Sequence, residues 1–160
     1  MTSSLKNLEA RVAALEERLA EPTTTVAPQD DFWALEALER HHPDTVMVVG
    51  SVGLPDSGSA RWQYGLSRDA LADRDWSSAT SALDALANPV RLSLLQLIFS
   101  GTRSTADLAH QDGLGTTGQL HHHLRALIAG GWLHSTSRGH YEIPPERIVP
   151  LLAILTSTTI

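Results

Sequence analysis

Hydrophobic positions along the chain change period several times, and each change marks an element. In SSLKNLEARVAALEERLA, residues 3–20, Leu5, Leu8, Val12, Leu15 and Leu19 recur at alternating spacings of three and four, which is the a/d seam of an amphipathic helix. Ser3 or Ser4 can cap its start and Pro22 stops it. A helix of little over two heptads is marginal alone, so its seam either joins a dimeric coiled coil or packs on its own chain. Three basic residues against three acidic ones, with no aromatic, argue against a membrane-surface helix. EPTTTVAPQD, 21–30, reads as a Pro/Thr linker.

DFWALEALERHH then predicts a helix with Asp30 or Asp31 as cap and Phe32, Leu35 and Leu38 as apolar residues, Trp33 alongside. TVMVVGSVGL and ARWQYGLS, around the turn-rich PDSGSA, predict a β-hairpin over about 45–67. Gly50 and Gly53 suggest a bulge or the close approach of another backbone. Trp62 and Tyr64 share one strand face, which is either a platform for a small ligand or ordinary cross-strand packing. From Trp76 onward the pattern is helical: WSSATSALDALA, NPVRLSLLQLIFSG, STADLAHQ and TTGQLHHHLRALIAGG, punctuated by glycines. WLHSTSRGHYEI offers two short strands around Ser137, Arg138 and Gly139, and PPERIVPLLAIL a last helix opened by proline.

The fold class expected is therefore mainly α with small β elements. Its organisation is a dimerisation helix at 1–20, a linker at 21–30, a helix plus β-hairpin extension at 31–75, and a helix-turn-helix domain at 76–160. The 160 residues and 42% hydrophobic content allow a real core. No signal-peptide pattern and no long apolar run is seen, so a cytoplasmic protein without membrane contact is expected.

Charge alters this picture in one respect. The net charge of −6 argues against a polyanionic partner, yet its distribution is uneven. Through Asp75 there are 13 acidic and 7 basic residues; from Trp76 onward there are five of each, the bases all arginine, with six of the eight histidines. The absence of cysteine excludes disulfides, thiolate metal sites and cysteine nucleophiles. No nucleophile motif, phosphate loop or carboxylate pair stands out, so no enzymatic activity and no cofactor are expected.

The segment 104–133 has the grammar of a helix-turn-helix: a short helix, a glycine-containing turn, and a longer helix at 116–129 opened by hydroxyl residues. On a helical wheel Leu120, Leu124, Leu127 and Ile128 cluster as a core stripe, with His123 on its border. His121, His122 and His123 are spread over about 200°, so they cannot converge on one metal ion, which on a helix needs ligands three or four residues apart. Gln119, His121, His122 and Arg125 offer hydrogen-bond donors on the remaining circumference, while Thr116, Thr117 and Gly118 place backbone N–H groups where phosphate is attracted. The competing reading is a solvated polar helix face.

ALANPVRLSLLQLI at 85–98, TADLA at 105–109, GQLHHHLRALIAGGWL at 118–133 and RGHYEI at 138–143, in that order, resemble the ArsR-type winged-helix transcriptional regulators of bacteria. The L-x-x-P-x-R pattern before the helix-turn-helix and a His-Leu-x-x-Leu-x-x-x-Gly core, matched by His123, Leu124, Leu127 and Gly131, carry the resemblance over roughly 83–155. It implies a homodimer bound to double-stranded DNA, with a recognition helix at 116–129 and a wing near 134–142. DNA contacts are then expected from Ser104, Thr116, Thr117, Gly118, Gln119, His121, His122, Arg125, Arg138 and His140. Arg91 would be structural or would face phosphate. Dimer contacts are expected from Leu5, Leu8, Val12, Leu15 and Leu19 and, on the last helix, Leu151, Leu152 and Leu155.

Members that sense metals use a Cys-x-Cys-type motif or Asp and His on the last helix; this chain has no cysteine and no His, Asp or Glu after Glu146. No metal is expected in those places. A small-molecule effector at Trp62 and Tyr64 fits such a regulator. The wing, with a single arginine, and the acidic first half motivate an alternative: a winged-helix scaffold for protein assembly or small-ligand reception with little DNA affinity.

Overall fold

The computed structural model describes residues 32–56 and 58–159. The leucine seam at 5–19, the linker at 21–30 and the caps Asp30 and Asp31 lie outside the described residues. The chain divides into two compact units between Arg40 and His41. α1 (Trp33–His41), all but its last residue in the first unit, begins where the Glu36 N–H bonds the Phe32 carbonyl at 2.8 Å, close to the expected start.

The second unit opens with β1 (Thr45–Gly53) and β2 (Ser59–Ser67), an antiparallel pair in unbroken register, with Val48 opposite Tyr64 and Gly50 opposite Trp62. The bulge suggested by the two glycines is absent, and the close approach at Gly50 is made by a side chain rather than a backbone. A Cβ there would lie 2.6 Å from Val149 Cγ1, whereas one on Gly53 would meet nothing within 4 Å. Partners directly opposite in a ladder share a face, so Val48, Gly50, Trp62 and Tyr64 form one surface, and Val149 of the last helix rests on it.

After α2 (Arg68–Ala72), capped by Ser67, a 3-10 turn at Trp76–Ala79 leads into α3 (Thr80–Leu86). The path then bends by 79° into α4 (Pro89–Phe99). Pro89 dictates the bend: the residue before a proline is pushed out of the helical region, and Asn88 sits at φ −151°, ψ 127°, its side chain accepting from the Arg91 N–H. Arg91 settles as a structural residue. Its Nε donates to the Ala85 carbonyl at 2.7 Å and Nη2 donates to that of Asp84, satisfying the last turn of α3.

α5 (Thr105–Ala109), α6 (Thr117–Ala129), the hairpin β3 (His134–Ser137) and β4 (His140–Glu142), and α7 (Pro145–Ser157) complete the order. The architecture is mixed α+β, with seven α-helices and two small antiparallel hairpins among the described residues. The core lies where α4, α5, α6 and α7 converge: Leu94, Leu108, Leu124, Leu127 and Trp132 are each at most 2% exposed, and no buried residue among those described is polar. No single helix among the described residues is long and apolar enough to cross a membrane.

Candidate nucleic-acid interface

α5 is held at its start by Ser104, whose Oγ accepts from the Asp107 N–H at 3.0 Å and donates to Asp107 Oδ2 at 2.6 Å. The turn that follows takes left-handed backbone at Gly113 (φ 81°) and Gly115 (φ 79°), conformations glycine adopts without penalty. Between them Leu114, 4% exposed, plugs into the core.

α6 starts with a capping box. The Gln119 N–H donates to Thr116 Oγ1 at 3.4 Å, and the Thr116 N–H donates to Gln119 Oε1 at 2.8 Å. This is a capping task, beside the DNA contact expected of Gln119. Bidentate pairing with adenine requires the amide oxygen, and here that oxygen is already engaged.

Leu120, Leu124 and Leu127 are buried as the wheel requires, but Ile128 is 39% exposed. Some 80° from Leu120 on the wheel, Ile128 lies past the edge of the buried arc. The end of α6 packs on α3 at Gly130, where a Cβ would stand 2.5 Å from that of Ala85. His121, His122 and Arg125 are exposed on one arc, with Arg125 Nε donating to the His121 carbonyl at 3.3 Å. Thr117 and Gly118, in the first turn, are exposed as well.

His123 sits at the core border as expected, without an internal hydrogen bond at Nδ1 among the described residues. Its Nδ1 is closed off from solvent without a partner among the described residues, and its ring meets that of His122 edge-on at 5.6 Å. Burial, then the neighbouring His122 and Arg91, hold its pKa below the usual histidine value of 6.5. The unfolded chain therefore takes up a proton here that the folded chain resists, so His123 makes folding less favourable as pH falls below 6.5. Melting temperatures at about pH 7.5 and 5.5 should show a smaller acid-induced loss for His123→Leu than for the wild type; an equal loss would remove His123 as a source.

The β3–β4 hairpin is fixed to the start of α5. Thr105 donates to the Gly139 carbonyl from its N–H at 2.8 Å and from Oγ1 at 3.0 Å, the Tyr141 N–H donates to the Arg103 carbonyl, and Ser104 forms a bridge with His140. Residues 103–105 thus act as a third edge of this small sheet. The sequence carries no sign of it, because three residues between Gly101 and the start of α5 are too few to show a period. Arg138 and His140 are exposed at the hairpin.

Three of the five arginines from Trp76 onward are engaged within the chain. Arg91 holds α3; Arg103 pairs with Asp56 at 2.7 Å and Glu142 at 3.2 Å; Arg147 lies over the Trp132 ring at 5.3 Å. Arg103 and Arg147 escape sequence reading because their partners are remote along the chain. Arg125, Arg138 and Arg147 are the three of this set without an acidic partner within 4 Å among the described residues, and of these Arg147 is the one that lies over an aromatic ring. No three His, Asp or Glu side chains among the described residues group as a metal site requires.

Comparison with protein-family models, with curated proteins and with solved structures finds no match for this chain.

Two further surfaces complete the set. Leu151 is buried in the chain's own core at 3% exposure, while Leu155 is 37% exposed and Leu152 half-buried. All three border a groove of about 450 Å³ between α7 and α4, lined also by Leu92, Leu95 and Phe99. Trp62 and Tyr64 do share a face, and both line a second groove beneath the β1–β2 hairpin.

Proposed function

We propose that the chain is a DNA-binding transcriptional regulator, a dimeric repressor of the ArsR-type winged-helix kind. α6 would enter the major groove and the β3–β4 hairpin would serve as the wing. The observation that carries this reading is the joint exposure of His121, His122 and Arg125 on a helix whose opposite face is buried. A hairpin bearing Arg138 and His140, hydrogen-bonded to the preceding helix, supports it. The resemblance of 85–143 to that family points the same way. In this reading phosphates meet the exposed first turn of α6 and the wing, while Arg125 and its histidine neighbours reach base edges. Half-sites would lie about one helical turn, roughly 34 Å, or a multiple of it, apart. Selecting genomic fragments on the immobilised full chain at low salt tests it, and enrichment of a two-fold symmetric sequence is the expected outcome. Failure to retain any fragment contradicts it.

The second copy is placed on the apolar groove between α4 and α7, together with the N-terminal leucine seam. Leu155→Glu should leave the melting temperature nearly unchanged, because the side chain is partly exposed, while weakening dimerisation about a hundredfold by burying a charge at the interface. Light scattering across a dilution series reads this, and an unaltered mass would move the interface elsewhere.

A second reading is favoured by the engagement of Arg91, Arg103 and Arg147 within the chain, which leaves few cations for phosphate. It is a winged-helix scaffold for assembly or small-ligand reception, located like the first in the cytoplasm.

A further inference from the structure

The groove beneath the β1–β2 hairpin is a consequence of how α7 meets the sheet. Because Gly50 has no side chain, Val149 drops onto the strands at that point. One register step away the same face carries Val48 and Tyr64, with Tyr64 51% exposed. Between them and the first turns of α7 a space of about 470 Å³ remains, lined by Val48, Trp62, Tyr64, Glu146, Arg147 and Pro150. That volume lies within the range of small-molecule sites, about 300–1,000 Å³, and its apolar walls with a few polar groups have their composition.

Arg147 gives the groove a chemical preference. Among the described residues no carboxylate lies within 4 Å of its guanidinium. Its recorded partner is the Trp132 ring, 5.3 Å from the guanidinium carbon. Contact with a ring face does not consume N–H donors, and a planar guanidinium presents a fork suited to a carboxylate. Trp62 and Tyr64 supply flat faces beside it. Glu146, exposed at the rim, disfavours a second negative charge on an occupant.

We propose that this groove binds a planar aromatic monocarboxylate, its ring against Trp62 and Tyr64 and its carboxylate on Arg147. Trp132, the other partner of Arg147, follows α6 after only two glycines and donates from Nε1 to the Ala82 carbonyl at 2.8 Å. An occupant therefore touches Arg147, whose ring partner Trp132 is bonded to α3 just past the end of α6. The site stands on this geometry and not on the DNA-binding reading.

Calorimetric titration of the full chain without DNA tests it, using naphthoate and its uncharged amide as probes. Naphthoate should bind about tenfold more tightly than the amide. Tyr64→Ala should weaken both. Arg147→Gln should lower naphthoate to the level of the amide and leave the amide unchanged; should that variant fold poorly, Arg147→Lys keeps the charge and should retain part of the preference. Equal affinity for the two probes, no binding of either, or an unaltered preference in both Arg147 variants would overturn the proposal. Because DNA is absent, these outcomes are independent of whether genomic fragments are retained.

Discussion

Arg125→Ala should lower affinity for the selected DNA by about 1–3 kcal/mol in each half-site, so that a dimer loses about 2–6 kcal/mol, roughly thirtyfold to ten-thousandfold, and should relax base preference at one position per half-site. The residue sits midway along the exposed arc of α6, between His121 and His122 on the wheel, on the side opposite Leu120, Leu124 and Leu127. It holds no carboxylate within 4 Å among the described residues, and its one recorded side-chain bond is to the His121 carbonyl at 3.3 Å, within its own helix. Removing it therefore costs the fold little, and thermal melting should be nearly unchanged. Arg91→Ala is the fitting control. Its guanidinium serves the carbonyls of Asp84 and Ala85, so it should lower stability while leaving base preference unaltered. Binding isotherms on the selected sequence and on single-base variants check both statements; an Arg125→Ala chain with unchanged affinity would take α6 out of the interface.

The largest effect on folding should come from Trp132→Ala. Trp132 is 2% exposed, donates to the Ala82 carbonyl at 2.8 Å and carries the Arg147 guanidinium on its ring. It links α3, the end of α6 and the start of α7. Replacing a buried aromatic by alanine costs about 3–5 kcal/mol, a large part of the 5–15 kcal/mol typical of a domain. Trp132→Phe separates the contributions, because it keeps most of the packing and loses the hydrogen bond, worth about 1 kcal/mol. Urea denaturation should rank the wild type above Trp132→Phe and both well above Trp132→Ala. A Phe variant as unstable as the Ala variant would show that the bond to Ala82, rather than packing, anchors this corner.

What the sequence made legible follows from the range of the forces involved. Helical period, proline and serine caps and paired β runs are local, and α1, α4, α6, both hairpins and α7 fall close to where these signals place them. The extent of the buried stripe was less legible: the wheel groups Ile128 with it, but at some 80° from Leu120 the residue lies past the buried edge and is 39% exposed. The capping task of Gln119 was not legible because an amide that caps a helix and an amide that contacts DNA are the same residue type; only the bond from the Thr116 N–H shows it. Arg103 with Asp56 and Glu142, Arg147 with Trp132, and the close contact of Gly50 with Val149 join residues far apart along the chain. Nothing in a single sequence announces such pairs, and they decide which cations remain for a partner.

That division of the arginines makes the salt dependence of DNA binding the most direct measurement of the central claim. With Arg125 and Arg138 available on each of two protomers, the logarithm of affinity should fall against the logarithm of salt concentration with a slope of about −4 or shallower. The double variant Arg125→Ala, Arg138→Ala should flatten the line nearly to zero. Fluorescence anisotropy of the full chain on a selected fragment across a salt series gives both slopes. No binding at low salt, or a slope that the double variant leaves unchanged, would contradict the placement of α6 and the β3–β4 hairpin on DNA.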